Sequence, residues 1–294
     1  MAIVRSLAIG KATGSMGGIT YRTIGGETIS SQKRGKATNK PSFLQGINIV
    51  SWANAVNIWQ AFEGNDRPSF ENRRPRVSDF NEFIAASRGV PVYLTRSVAQ
   101  QGGAVVAPYQ VTRGSLPSID TSVSGTGGEI GTDISLGNLT ISDSTTLGQF
   151  SRAIVENNEG WANHDAIILF VLRQSTNSVT GVPYVTVDEF KVTLDVSDNE
   201  TLLSEFDPNS EAFVNTPGSD KLGMAMTVNG GAVYIHSRIT SEGTQVSTQA
   251  IIATNTLLPN YQSTSTRNEA IASYGGSLAR LYLTPDTDMA IGGI

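Results

Sequence analysis

The chain offers two residues able to exchange protons near neutral pH, His164 and His236, in 294 positions. Two histidines exclude a three-histidine metal site and the HExxH motif. His236 stands beside Ser237 in YIHSR, a strand-like segment, so their side chains point to opposite faces and form no catalytic pair. His164 lies between Trp161 and Asp165 in a sequence typical of a turn. We predict that both histidines have structural roles.

The other residue patterns that could indicate catalysis or ligand binding are equally weak. Asp195, Asp198 and Glu200 could bind calcium, but their spacing matches no EF-hand, which favours a solvated acidic turn. The glycines of residues 125–131 are misspaced for dinucleotide binding, and GxSxG and Walker motifs are absent. There is no cysteine for disulfides or thiolate metal sites. The sequence therefore predicts a protein that is not an enzyme, with no catalytic residue, cofactor or metal.

The first predicted element of the chain is a basic, Gly-rich arm at residues 1–41. Ile19–Thr23 and Glu27–Gln32 alternate β-favouring and polar residues, which is typical of strands. Gly25 and Gly26 between them supply the positive φ angles of a tight hairpin turn. Lys33–Lys40 is basic and almost free of apolar residues, and Ser42 is a candidate helix N-cap.

The next stretch, Ser42–Phe62, carries no charged residue. Its polar residues recur at every third position, so they wind around a helix and leave no fixed polar face. A helix without a polar face is typically buried all round. It could be the central helix of one large domain or a helix packed between subunits. The flexible basic arm before it favours the second interpretation.

Charge is distributed unevenly along the chain. Residues 1–100 contain 13 Lys/Arg against 6 Asp/Glu, a net +7, whereas the other 194 residues contain 8 against 20, a net −12. A basic front and an acidic rear attract each other, within one chain or between identical copies. Binding of DNA by the arm is a less favoured alternative, because Tyr21 is its only aromatic residue. The predicted subunit interface comprises Gly17, Gly18, Ile19, Tyr21, Arg22, Lys33, Arg34, Lys36, Trp52, Val56, Trp59 and Phe62.

The rest of the chain predicts a mainly β fold: an antiparallel β-sandwich-like body at residues 90–294, preceded by the hairpin arm and a helical assembly module at 42–89. A second helix of that module is expected to start at Ser78. The other expected elements are in the body. They are strands at Val90–Val98, 103–114 and 133–142, a loop at Ser122–Thr132, a helical insertion at Thr146–Asn157, a central strand at Ala166–Gln174, strands within 182–196, 221–228, 231–239 and 244–254, a helix near Asn268–Tyr274, and a strand at Leu278–Thr284.

Several segments carry a resemblance to phage proteins. Gly17–Tyr21, Gln32–Arg34 and Asn39–Ser42, with the Asn/Ala-rich helix after them, resemble the N-terminal module of an uncharacterised protein family of Bacteroidetes and their phages. Four further segments resemble parts of virion proteins of crAss-like phages. They are Val111–Ile119, Ala232–Arg238, Thr244–Gln249 and Glu269–Gly275.

The resemblance implies a non-enzymatic structural protein of the virion, a ring subunit of the phage neck or tail made in the bacterial host cytoplasm. Its partners would be copies of itself, twelve in a ring, and neighbouring virion proteins such as the portal or other rings. No segment is apolar enough to cross a membrane, and none resembles a signal peptide. A glycan-binding β-sandwich that recognises the host surface, or a DNA-contacting protein near the portal, are the alternatives.

Overall fold

The fold is mainly β, as the sequence predicts. The computed structural model describes residues 2–4, 14–16, 18–24, 27–33, 43–71, 73, 76–90, 92–124, 129–180, 182–197, 199–225, 230–253 and 289–291. The chain divides into two compact units, Met1–Ser42 and Phe43–Ile294. The predicted helical module at 42–89 is therefore not separate from the body, and that part of the predicted domain division is wrong. The reason is a shared apolar core, described below.

The first unit is a four-stranded antiparallel sheet. Its strands are β1 (Ala2–Val4), β2 (Gly14–Met16), β3 (Ile19–Ile24) and β4 (Glu27–Gln32), in the order β1-β4-β3-β2. Ile24 pairs with Glu27 across a two-residue connection, so the predicted hairpin is confirmed. The two flanking strands were not predicted, because three-residue segments carry too little pattern to be recognised.

The second unit contains all the helices that the structure describes, together with the larger sheets. The helices are α1 (Phe43–Ala61), α2 (Asp79–Ala86), α3 (Arg96–Gln100) and α4 (Leu147–Asn157), with a short 3-10 turn at Leu203–Glu205. The strands are β5 (Ser69–Phe70), β6 (Tyr93–Thr95), β7 (Gln110–Arg113), β8 (Thr121–Ser124), β9 (Glu129–Ser135), β10 (Ala166–Thr176), β11 (Pro183–Thr193), β12 (Val214–Asn215), β13 (Lys221–Met224), β14 (Gly230–Thr240), β15 (Gly243–Val246), β16 (Gln249–Ala250), β17 (Ile252–Ala253) and β18 (Met289–Ile291).

These strands form one central sheet and three smaller ones. The central sheet has the order β11-β10-β14-β15, with β17 also paired to β14. A second sheet has the order β12-β13-β9-β8. A third joins β16, β7 and β5, and its β5–β7 pairing is the parallel one. The last pairs β18 with β6.

Strand β10 separates two apolar cores, which explains why it is apolar from Ala166 to Leu172. Ile168, Phe170 and Leu172 face the first core with α1, α2 and α3. Ile167 and Leu169 alternate with them and face the second core, which lies against β9, β13 and α4. The second core therefore lies between two sheets, which gives the body its sandwich character, while the helices of residues 43–100 cover the other face of the central sheet.

The predicted cap of α2 is confirmed, and α4 has a capping box that was not predicted from the sequence. The Ser78 hydroxyl accepts a hydrogen bond from the Asn81 backbone N–H and caps α2. Thr146 and Gln149 form a reciprocal capping box at α4. The predicted helical insertion thus begins where its sequence indicates.

Several local predictions are wrong. The strands expected at 103–114 and 133–142 are β only at Gln110–Arg113 and up to Ser135, and the rest of each segment is irregular or in turns. The segment Val90–Val98 alternates like a strand, but only Tyr93–Thr95 is β, and α3 begins at Arg96. Ser122–Thr132 was expected to be a loop, yet Val123 pairs with Ile130 in the β8–β9 hairpin. In these last two segments tertiary pairing decides the structure over local composition. The predicted elements at Asn268–Tyr274 and Leu278–Thr284 lie outside the described residues.

Candidate functional site

Helix α1 has two unlike faces, so the prediction that it is buried all round is wrong. Val50, Ala55 and Ile58, together with Phe62 one residue beyond the helix, are buried in the first core. On the opposite face Ile49 is 44% and Trp52 57% exposed, and Val56, at the next turn, is partly exposed. We call Ile49, Trp52 and Val56 the apolar stripe. Spacings of three and four residues place them on one side of the helix.

The polar residues of α1 bind the extended segment at residues 103–109. Asn54 is fully buried, and its side-chain amide donates to the Val105 carbonyl (2.9 Å) and the Tyr109 hydroxyl (2.8 Å). The Asn54 carbonyl oxygen accepts from the Val105 N–H at 2.8 Å. Asn57 donates to the Gly103 carbonyl at 3.0 Å. Burial raises the pKa of Tyr109 well above its ordinary value, so its hydroxyl stays protonated. In the sequence, polar residues wind around α1 and leave no fixed polar face. Asn54 and Asn57 belong to that set, and their role is this contact within one chain.

The predicted interface residues on α1 therefore separate into two groups. Phe62 is fully buried and meets Phe170 edge to face at 5.1 Å, so it cannot contact another copy, and its assignment to the interface is wrong. Trp59 is partly buried and packs against Phe80 and Phe83. Trp52 and the partly exposed Val56 remain accessible.

The predicted interface residues of the arm are mostly accessible as well. Gly18, Ile19, Arg22 and Lys33 are exposed, and Tyr21 is partly buried. Whether any of them contacts another subunit stays a prediction. Gly17, Arg34 and Lys36 lie outside the described residues.

The strongest cluster of ionisable groups surrounds the buried carboxylate of Asp165, at the start of β10. His236 Nε2 lies 2.7 Å from Asp165 Oδ2. Arg238 donates from Nε to Oδ1 at 2.6 Å and from Nη2 to Oδ2 at 2.7 Å. The Ala162 backbone N–H donates to Oδ2 at 2.8 Å. The ring of Trp161 stacks on that of His236, with centroids 3.7 Å apart and 11° between planes.

The electrostatics of this cluster follow from its hydrogen bonds. Burial raises the pKa of Asp165, but the hydrogen bonds from Arg238, His236 and the Ala162 N–H outweigh it, and the pKa falls from 3.8 to about 2. The same ion pair raises the pKa of Arg238. Because the carboxylate is ionised and only accepts, we assign the His236 proton to Nε2.

This geometry ties strands together and provides no reaction centre. The His236 and Asp165 side chains are 0% and 1% exposed, and Trp161 covers the imidazole. The Ser247 hydroxyl accepts from the His236 backbone N–H at 3.0 Å, so it serves the sheet and is not activated by the imidazole. Arg238 also donates to the Gly160 carbonyl at 2.8 Å, which fixes the turn before β10 to β14.

His164 and the acidic residues of the turn after β11 do not form a second site. His164 is exposed and occupies a left-handed turn position with φ of 68°. Asn199 and Ser197 donate to Asp195, and these hydrogen bonds lower its pKa. Asp198 lies outside the described residues. Within the described part of the chain, no three His, Asp or Glu side chains converge as metal ligands.

An open groove of about 710 Å³ lies between the β5 region and the β14–β15 hairpin. Its central carboxylate, Glu71, accepts from the Ser115 hydroxyl at 2.8 Å and from the Val246 N–H. Arg73 pairs with Asp79 at 2.8 Å. These groups hold β5 against its neighbours.

Sequence reasoning missed the Asp165 cluster because Asp165 lies 71 and 73 positions before its partners His236 and Arg238. One signal was present: His236 and Arg238 are two residues apart on a strand and share a face, which suggests one carboxylate partner for both. In the regions that the structure describes, no helix is long and apolar enough to cross a membrane. No protein-family model, curated protein or solved structure matches the chain.

Proposed function

We propose that this chain is a non-enzymatic structural subunit of a phage virion, a ring protein of the neck or tail that assembles from copies of itself. The kind of particle and its location rest on the resemblance of the N-terminal module and four further segments to phage proteins. The assembly role rests on physical features of the two units. The N-terminal unit carries most of that argument.

Where its side-chain burial is described, the N-terminal sheet has almost no interior of its own. Where the structure describes side-chain burial in this unit, Thr28 is the one buried residue, and Ile19 is 43% exposed. A small sheet is stable in water only when an apolar face is covered. A compact unit with so little buried surface therefore needs another surface to pack against, and a neighbouring subunit provides one.

The polar groups of the body support the same proposal. Asp165, His236 and Arg238 neutralise one another in a covered cluster, and Glu71 holds backbone and hydroxyl groups of nearby segments. Groups whose hydrogen bonds are used for packing are poorly placed to bind a substrate. The accessible apolar residues Ile49 and Trp52 are placed for contact with protein.

Three of the segments that resemble virion proteins meet in one region of the fold. The Leu116 N–H donates to the Val246 carbonyl at 3.1 Å, and the Ser247 N–H donates to the His236 carbonyl at 2.8 Å. The segments Val111–Ile119, Ala232–Arg238 and Thr244–Gln249 are thus neighbours, as expected for parts of one structural region. The fourth, Glu269–Gly275, lies outside the described residues.

The test is the native mass of the full chain over a range of concentrations, measured by sedimentation and by negative-stain imaging. We expect a high-order ring whose formation rises with concentration. A variant lacking residues 1–40 should remain folded, with the β-type circular dichroism of the body, and should not assemble. A full chain that stays monomeric to tetrameric at every concentration would contradict the proposal and favour a glycan-binding module or an enzyme.

A further inference from the structure

The apolar stripe of α1 is an exposed surface without charge. Ile49 and Trp52 are 44% and 57% exposed, and Phe43–Ala61 contains no Asp, Glu, Lys or Arg. Burying an unpaired charge against such a surface would cost several kcal/mol. The surface that covers the stripe must therefore be uncharged where it makes contact.

One face of the N-terminal sheet meets this requirement. In the β3–β4 register, Tyr21 pairs with Ser30 and Ile19 pairs with Gln32, so these four residues share a face. None of them carries a charge. Arg22 pairs with Ile29 on the opposite face. Ile19 and Tyr21 thus form an accessible, uncharged and partly apolar face on a sheet that has little buried surface.

We propose that the N-terminal sheet of one copy packs, through the face bearing Ile19 and Tyr21, on the apolar stripe of α1 in a second copy. This inference rests on the proposed function. The described part of each chain has one such sheet and one such stripe. The contact therefore joins two different surfaces, is heterologous, and leads to a closed ring when its rotation closes. Nine residues, 34–42, separate Lys33 from α1 in the sequence, and a chain of that length spans at most about 30 Å.

Charges at the rim agree with this pairing. Lys33 follows β4 on the sheet and is exposed. Glu63 follows α1, about two to four turns beyond the residues of the stripe, and is also exposed. The apolar surfaces meet at the centre and opposite charges lie at the edge, which is the usual arrangement of a protein interface.

Cross-linking between copies tests the pairing directly, because the natural chain has no cysteine. Gln32→Cys places a thiol beside Ile19 on the sheet, and Asn48→Cys places one a turn before Trp52; both positions are exposed. The two single variants are mixed at assembling concentration and treated with a short bis-maleimide. We expect a strong mixed dimer. The matched control pairs Gln32→Cys with Ser178→Cys, an exposed position in the β10–β11 turn, and should give only background.

Two outcomes would overturn the pairing. One is a mixed dimer no stronger than the Ser178→Cys control while the native mass shows a ring, in which case the proposed function stands and this contact is wrong. The other is a Gln32→Cys/Asn48→Cys double variant that cross-links mainly within one chain. If the full chain does not assemble at all, the proposed function fails first, and the mass measurement reports it separately.

A second variant measures the strength of the contact. Trp52→Ser should raise the concentration needed for half-assembly by about tenfold or more, since buried tryptophans at interfaces are commonly hot spots. Ile239→Ser removes a side chain that is 83% exposed at the end of β14 and should change that concentration little. Equal effects of the two substitutions would contradict a specific role for the stripe.

Discussion

The indole ring of Trp161 lies almost parallel to the imidazole of His236, with the ring centroids 3.7 Å apart. The stack covers a histidine that is fully buried and hydrogen-bonded to the Asp165 carboxylate. A buried carboxylate that is hydrogen-bonded to two cationic or polar side chains is expected to stabilise the fold. Removing one of these groups leaves the others buried without their partner, which is costly. Substitutions in the Asp165 cluster therefore test whether these side chains stabilise the fold.

Asp165→Asn should lower the free energy of unfolding by about 3 kcal/mol, within the range for breaking a buried ion pair. The reason is that Arg238 and His236 lose their shared negative partner. Urea unfolding followed by circular dichroism measures the change. Asp188→Asn is the matched control, because the Arg173–Asp188 pair is 40% and 46% exposed and should contribute about 0–1 kcal/mol. Similar losses in the two variants would contradict the buried cluster.

The same carboxylate predicts a pH dependence. The pKa of Asp165 is lowered from 3.8 to about 2, so its ionised form stabilises the folded state above pH 4 and that stabilisation disappears as the pH falls through about 2. The difference in unfolding free energy between the natural protein and Asp165→Asn should be constant near neutral pH and shrink between about pH 4 and 2. A difference that stays constant across this range would show that the carboxylate pKa is not lowered by folding.

Asn54→Ala should cost about 3 kcal/mol of unfolding free energy. It leaves the Val105 N–H, the Val105 carbonyl and the Tyr109 hydroxyl buried without their partner, and each such group costs about 1–3 kcal/mol with partial relaxation. Asn48→Ala, at an exposed position of the same helix, should change stability by no more than about 0.5 kcal/mol. Thermal or urea unfolding measures both changes. An unchanged unfolding free energy for Asn54→Ala would contradict the packing of residues 103–109 on Asn54.

The sequence predicted those elements whose signals are local. The β3–β4 hairpin has its Gly-Gly turn, α4 has its capping box, and β10 has a run of apolar residues typical of a doubly covered strand. Helix α1 shows the limit: its position was evident, but the partners of its polar side chains lie about 50 residues further along the chain.

The same limit applies to the candidate site. A single sequence shows that His236 and Arg238 share a strand face, but the register that brings Asp165 to them is set by the pairing of β10 with β14. Long-range pairing of this kind depends on the packing of the whole sheet. The predicted interface residues were identified from charge and apolar content, which could not show that Phe62 is directed into its own core.

Phe62→Ala and Trp52→Ala separate the two faces of α1. Phe62 is fully buried against Phe170, so its truncation should cost about 3–5 kcal/mol of unfolding free energy. Trp52 is mostly exposed, so Trp52→Ala should leave the stability of the unassembled chain within about 0.5 kcal/mol. Unfolding at a concentration below assembly is the measurement. A large loss of stability for Trp52→Ala would mean that this face of the helix is covered within one chain.

The basic arm predicts that assembly is sensitive to salt. Attraction between the arm and the acidic body acts through exposed charges, which are screened beyond roughly 8 Å at physiological ionic strength. Single surface pairs contribute only about 0–1 kcal/mol, so the basic residues matter as a set. Light scattering should show slower and weaker assembly at high salt without complete loss, because apolar contacts are insensitive to screening.

Reversing the charge of three basic residues in the arm tests whether the arm binds protein or DNA. Lys33→Glu, Arg34→Glu and Lys36→Glu together should reproduce the high-salt behaviour at low salt. A triple change to Gln, which removes charge without adding repulsion, should fall between the two. If the arm binds DNA instead, the natural protein would bind duplex DNA with an affinity that falls steeply with salt, and the reversal would abolish it. We expect little DNA binding before or after the change, because a β3–β4 hairpin with Tyr21 as its one aromatic residue offers few groups to stack on bases.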